Sequence, residues 1–135
     1  MMIKRLAIAY DGSDSARFAL ERAAELLGSQ RAHVVFAREA GAAKIEHLSV
    51  SPATDEDAAA GTAREGMALA RQAGLDATAT VASSPGGVAA AIAAAAEDLD
   101  ASLIILGNRG GRGPESVSQS VIHTTNRPIV VIPSP

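Results

Sequence analysis

The chain alternates short β-branched, apolar runs with longer alanine-rich segments, and turn residues punctuate each change. That alternation constrains the fold most, because parallel strands cannot be joined by a tight turn and need a helical crossover between them. Such crossovers are right-handed and put helices on both faces of the sheet. Strand-like runs fall at 3–10 (IKRLAIAY), 32–37 (AHVVFA), 77–82 (ATATVA), 102–106 (SLIIL) and 128–132 (PIVVI). The fourth is continuously apolar, as a strand covered on both faces should be. The spacing predicts a first helix after the Asp11-Gly12-Ser13 turn cluster, with Ala16, Phe18, Leu20, Ala23, Ala24 and Leu27 on one side and Gly28 as its stop. A second helix is expected from Asp55 to Ala73, weakened by Gly61 and Gly66, and a third from a Ser84-Pro85 start through Asp98. A short fourth helix carries Val117, Val121 and Thr124, while 38–54 shows no period and reads as the longest loop. The expected architecture is α/β: an open five-stranded parallel sheet with helices on both faces.

At 135 residues the chain is the size of a single domain, spanning 1–135 without a linker or internal repeat. Aromatic residues make up 2% of it, so stacking platforms for single-stranded nucleic acid have almost no raw material. A net charge of −3 argues against capture of nucleic acid or of an anionic membrane. The lack of cysteine removes disulfides, thiolate catalysis and Cys-ligated metals. Asp11 arrives too early for a signal peptide, and the uncharged stretch 77–96 is broken by Ser83-Ser84-Pro85-Gly86-Gly87, so a soluble, cytoplasmic protein is expected. His33, His47 and His123 are dispersed, without the spacing of a metal site.

Ligands of open α/β sheets collect beyond the carboxyl ends of the strands, where the strand order reverses. Two clusters occupy such positions: Asp11-Gly12-Ser13 after the first strand, and Gly107-Asn108-Arg109-Gly110-Gly111-Arg112-Gly113 after the fourth. Closely spaced glycines admit backbone amides to an anion, two arginines add charge, and a helix start follows. The same glycines also serve a sharp turn. No Lys-Ser or Lys-Thr follows them as in a Walker A loop, and no G-x-S-x-G elbow is present, so catalysis is not expected. A phosphoacceptor receiver domain is excluded by Ser83 and Pro133, which stand where it needs Asp and Lys.

Three segments in order, IKRLAIAYDGSDSARFALERAAELL, SSPGGVAAAIAAAAEDLDASLIILGNRG and SVSQSVIHTTNRPIVVIP, make the whole chain resemble the universal stress protein family. The resemblance implies an adenine nucleotide alpha-hydrolase-like, Rossmann-like sheet with strand order 3-2-1-4-5, and ATP or AMP bound at the ends of strands one and four, with Mg only alongside ATP. It points to Asp11, Gly12, Val35, Gly107, Arg109, Gly110, Gly113, Ser116 and Val117 as the nucleotide-contacting set. Asp11 would then face the adenosine, or else serve as the turn-former before helix one. Ser116 would meet phosphate, or else cap the last helix. The family pattern G-x2-G-x9-G-[ST] is matched in its first half by Gly107 and Gly110, whereas Glu115-Ser116 replaces the second half after a shorter spacer. A carboxylate there opposes phosphate, so a nucleotide-free dimeric interaction module with an unidentified protein partner stands as the alternative. The resemblance also implies a homodimer through the C-terminal strand, centred on Val130 and Ile132.

Overall fold

The computed structural model describes residues 5–108 and 117–135. Its elements are β1 (Arg5–Ala9), α1 (Asp14–Leu27), β2 (Arg31–Glu39), β3 (Lys44–His47), α2 (Ala58–Gln72), β4 (Asp76–Ser84), α3 (Val88–Asp98), β5 (Leu103–Asn108), α4 (Val117–Thr124) and β6 (Ile129–Pro133). They form one sheet of order β3-β4-β2-β1-β5-β6. All neighbours are parallel except β3, which runs antiparallel to β4. The five expected strands thus take the order the resemblance implies, and the sheet gains a sixth.

That sixth strand corrects the expectation of a loop over 38–54. Its sequence, KIEH, carries one apolar residue, Ile45, which packs against the cluster of Val35, Ala82, Ala91, Ala95 and Leu99. His47 completes the attachment: Nδ1 lies 3.0 Å from Thr80 Oγ1 and Nε2 lies 2.8 Å from Asp98 Oδ2. These contacts cross 33 and 51 residues of sequence, so no local period announces the strand. A short, charged strand also blunts the edge of the sheet.

The helix starts follow from which polar side chain meets a free amide. Ser13 caps α1, its Oγ accepting from Ala16 N–H at 3.1 Å, and Gly28 N–H closes the other end on the Ala24 carbonyl. Asp57 caps α2 by accepting from Ala60 N–H at 3.0 Å, so the helix begins at Ala58, three residues later than expected. Ser84 does not cap α3. It ends β4, paired with Glu39, and its Oγ takes the Gly86 N–H at 3.0 Å in a turn, which moves the helix start to Val88.

Strand alternation sends Leu6, Ile8, Val34 and Ile105 to one face, under α1 and α2. Ala7, Ile104 and Leu106 go to the other, under Ile92 and Ala96 of α3 and Val121 of α4. The helices meet the sheet through alanines, among them Ala19, Ala63, Ala91 and Ala95, all fully buried. Gly66 in α2 takes this close approach to its limit. A Cβ there would lie 2.7 Å from both Tyr10 Cδ2 and Val34 Cγ1, so the Tyr10 ring occupies the space a side chain would need. Among the described residues no helix is long and apolar enough to cross a membrane.

Candidate functional site

Unequal strand lengths build the site. The β1–β2 ladder ends where Tyr10 N–H donates to the Val35 carbonyl at 2.9 Å. β2 runs on to Glu39 beside β4, so Ala37, two residues past Val35, turns its backbone to the same side with β1 no longer alongside. On the other flank β5 continues to Asn108, past Ile105, its last residue to pair with β1. Between these overhangs lies a cleft of about 410 Å³, at the point where the strand order reverses. Val35, Val88, Ile92, Leu106 and Val117 give it apolar walls, and Asp11, Ser13, Ser15, Asn108 and Ser118 bring polar groups.

Asp11 both forms the turn and faces the cleft. Its Oδ1 accepts from Ser13 N–H at 3.0 Å, leaving the capping of α1 to Ser13. Gly12, at φ +85°, lets the chain leave β1 through a left-handed residue, and it is absent from the cleft lining. Val35 lines the cleft, whereas Val34 points to the opposite face under α2. Gly107 lines it as well, and its lack of a side chain has a local cause: a Cβ would lie 2.8 Å from the Ser15 carbonyl oxygen and 2.9 Å from Ser15 Oγ. The strand end and the first turn of α1 are therefore in backbone contact at Gly107. Val117, the first residue of α4, stands at the rim, 45% exposed.

Asp11 and Gly107, which the strand-end argument names, line one cleft with Val35 from the middle of β2 and Val117 from the start of α4, which the resemblance adds. Arg109, Gly110, Gly113 and Ser116, together with Arg112 and Glu115, lie outside the described residues. Two further lining residues, Ala37 and Ser15, are not singled out by the sequence, where Ala37 is one alanine among many and Ser15 reads as one more polar residue in a helix's first turn.

The histidines lie away from the cleft. His33 bonds Thr78 on the neighbouring strand at 2.8 Å, and burial, aided by Arg5, holds its pKa below the usual value. Among the described residues no group of three or more His, Asp or Glu is placed to hold a metal ion.

The profile of the universal stress protein family matches residues 2–133. The chain belongs to the universal stress protein family. A universal stress protein from Archaeoglobus fulgidus, solved in complex with dAMP, superposes with a TM-score of 0.67 at 23% identity, over 97% of this chain and 98% of that one. One from Burkholderia pseudomallei gives 0.69 at 22% identity, over 97% and 96%. One from Arabidopsis thaliana with AMP bound gives 0.70 at 12% identity, over 98% and 92%. At these identities the likeness establishes a shared universal stress protein fold. No curated protein sequence matches the chain significantly.

Proposed function

We propose that this universal stress protein binds an adenine nucleotide, ATP or AMP, in the cleft beyond β1, β2 and β5, and acts as a ligand-sensing regulator without catalysing a reaction. The overhang of β2 carries the proposal. Ala37 offers an adjacent backbone N–H and C=O beyond the end of β1, the arrangement that adenine's N1 acceptor and N6 amino donor require. Guanine presents the reverse polarity on the same edge, with O6 accepting and N1–H donating. Val35, Ile92 and Leu106 supply apolar surface for the faces of the base, and on this reading the Asp11 carboxylate, which also lines the cleft, accepts from a ribose hydroxyl. The glycines and arginines that begin at Gly107 are the phosphate side of this reading, with Mg entering only alongside ATP. Relatives solved with dAMP and AMP support the ligand class.

Thermal denaturation tests the reading directly. A ligand at one hundred times its dissociation constant stabilises by about 2.7 kcal/mol, worth several degrees in a domain of this size. Millimolar ATP or AMP should raise the melting temperature, and GTP should do so far less. No shift with either adenine nucleotide, with and without magnesium, refutes the proposal. It would leave the nucleotide-free interaction module, which the Glu115-Ser116 departure favours.

Assembly belongs to the same reading. The Pro128 carbonyl accepts from Ile104 N–H at 2.9 Å and Ser134 N–H donates to the Asn108 carbonyl at 3.2 Å, so alternate residues from 128 to 134 turn their backbone toward β5. Ile129, Val131 and Pro133 therefore turn theirs outward, with proline at a position that needs no donor. Ile132 is buried in its own chain's core and Val130 packs against the same cluster. The interface we propose is accordingly backbone pairing of two antiparallel β6 strands about Val131, with the Val130 and Ile132 side chains serving each protomer's interior.

A further inference from the structure

Ser15 poses a problem that the fold does not solve. It sits in the first turn of α1, 8% exposed, lines the cleft, and its Oγ is buried without a hydrogen-bond partner. A buried hydroxyl without a partner destabilises the fold, and alanine would fit the same space without that penalty. Nor does the helix need it, because Ser13 already caps α1. Gly107 packs against it without a side chain: a Cβ there would lie 2.9 Å from Oγ. The 14-residue helix α1 presents the positive end of its dipole at this corner. Ala37, the proposed base-reading group, is on β2, across β1 from β5, and Ser15 lines the same cleft beside Gly107 of β5, so a base held at Ala37 leaves Ser15 to the rest of the ligand.

We propose that the Ser15 hydroxyl is a ligand-binding group, donating to an oxygen of the sugar–phosphate part of the bound adenylate, and that the fold tolerates its unmet hydrogen bond for that reason. The assignment rests on the nucleotide-binding reading above and adds to it a residue that Asp11 and the Gly107 loop do not include.

The test compares wild type with Ser15→Ala by calorimetric titration against adenine, adenosine, dAMP and AMP, alongside melting of the unliganded proteins. Ser15→Ala should melt higher by about 3–5 °C, as relief of an unmet buried hydroxyl predicts. It should bind AMP about tenfold more weakly, while adenine affinity stays within about twofold. Loss on adenosine as well as AMP assigns the ribose as the acceptor, and loss on dAMP and AMP alone assigns the phosphate. Equal AMP affinity in the two proteins, or a loss that extends equally to adenine, overturns the Ser15 assignment while leaving nucleotide binding intact. A wild type that binds none of the four ligands refutes both. Ser15→Thr, which keeps the hydroxyl, should retain AMP binding better than alanine if the hydroxyl matters.

Discussion

Two glycines in one helix should respond to the same substitution with opposite sign. Gly61 and Gly66 both lie in α2, and in an isolated helix each would gain about 1 kcal/mol on becoming alanine. At Gly61 the new methyl meets nothing within 4 Å, so the gain is realised and the melting temperature should rise by about 3–5 °C. At Gly66 the methyl would lie 2.7 Å from Tyr10 Cδ2 and Val34 Cγ1 and 2.9 Å from Tyr10 Cγ, about 1 Å inside an ordinary carbon–carbon contact. Neither neighbour yields easily. Val34 is fully buried on a central strand, and the Tyr10 hydroxyl is bonded to Glu65, which also pairs with Arg17 at 3.9 Å. Overpacking of this kind costs about 1–3 kcal/mol, and two fixed neighbours put it at the upper end. Subtracting the helix gain leaves a net loss of about 2 kcal/mol, or about 6–10 °C. Urea denaturation of Gly61→Ala, Gly66→Ala and wild type measures both signs at once. Because Tyr10 precedes Asp11, Gly66→Ala should also weaken nucleotide binding. Stabilisation by Gly66→Ala comparable with that at Gly61 would show that the Tyr10 ring is not wedged against α2, and the account of how β1 positions Asp11 would fall.

Gly107→Ala should destabilise by about 2–3 kcal/mol and weaken AMP binding, since the methyl would meet the Ser15 carbonyl at 2.8 Å; an unaffected melting curve would show that the strand end and α1 are not in contact. Tyr10 is the only tyrosine and the chain has no tryptophan, so tyrosinate absorbance reports on it alone. Burial, reinforced by Glu65, raises its pKa from 10.0 to about 12. The contribution to stability is therefore complete below pH 10 and is lost as pH rises toward 12. Tyr10→Phe should lessen this alkaline loss, and a folded-state titration midpoint at the unfolded value would refute the burial of the ring. For assembly, analytical ultracentrifugation should find about twice the 13.6 kDa chain mass. Val131→Pro, which removes an outward N–H and no bond to β5, should return the protein to monomer; a wild-type monomer, or a dimer indifferent to proline, sinks the paired-edge reading.

The parallel sheet is legible in the sequence because each of its five strands carries its signal locally, in β-branched runs bounded by turn residues. β3 carries no such signal. Its attachment depends on Ile45 reaching a cluster built by three other elements and on His47 meeting Thr80 and Asp98, all tertiary events. The helix starts show the same limit on a smaller scale. Asp55, Asp57 and Ser84 are all competent caps in the sequence, and the path of the chain decides which one meets a free amide. Within the candidate site, Asp11 and Gly107 could be located because strand-end turn clusters mark their neighbourhood, while Val35 and Val117 come only with the family resemblance. Ala37 could not, since what it offers is backbone, and its exposure to the cleft depends on β2 outrunning β1. The isolation of Ser15 is equally invisible, because it arises from a strand end 92 positions away in the numbering.

Alanine connects the composition to the chemistry. The chain reaches 47% hydrophobic residues with only 2% aromatics, and the cleft exists because small side chains, Ala9, Ala16 and Ala37, stand where larger ones would fill it. A purine held there would rest on aliphatic walls that grip every base alike, since apolar contact is indifferent to the placement of donors and acceptors. On the proposed reading, base choice must then come from directional groups, and the Ala37 backbone is the one assigned to the edge of the base. Side-chain substitutions at Val35, Ile92 or Leu106 would alter affinity for adenine and guanine nucleotides together, because they change contact area. Discrimination between the bases would follow the β2 overhang, which is fixed by the β2–β4 ladder from Phe36↔Val81 through Glu39↔Ser84. The specificity of such a site resides in relative strand length, a property of the sheet as a whole and of no single side chain.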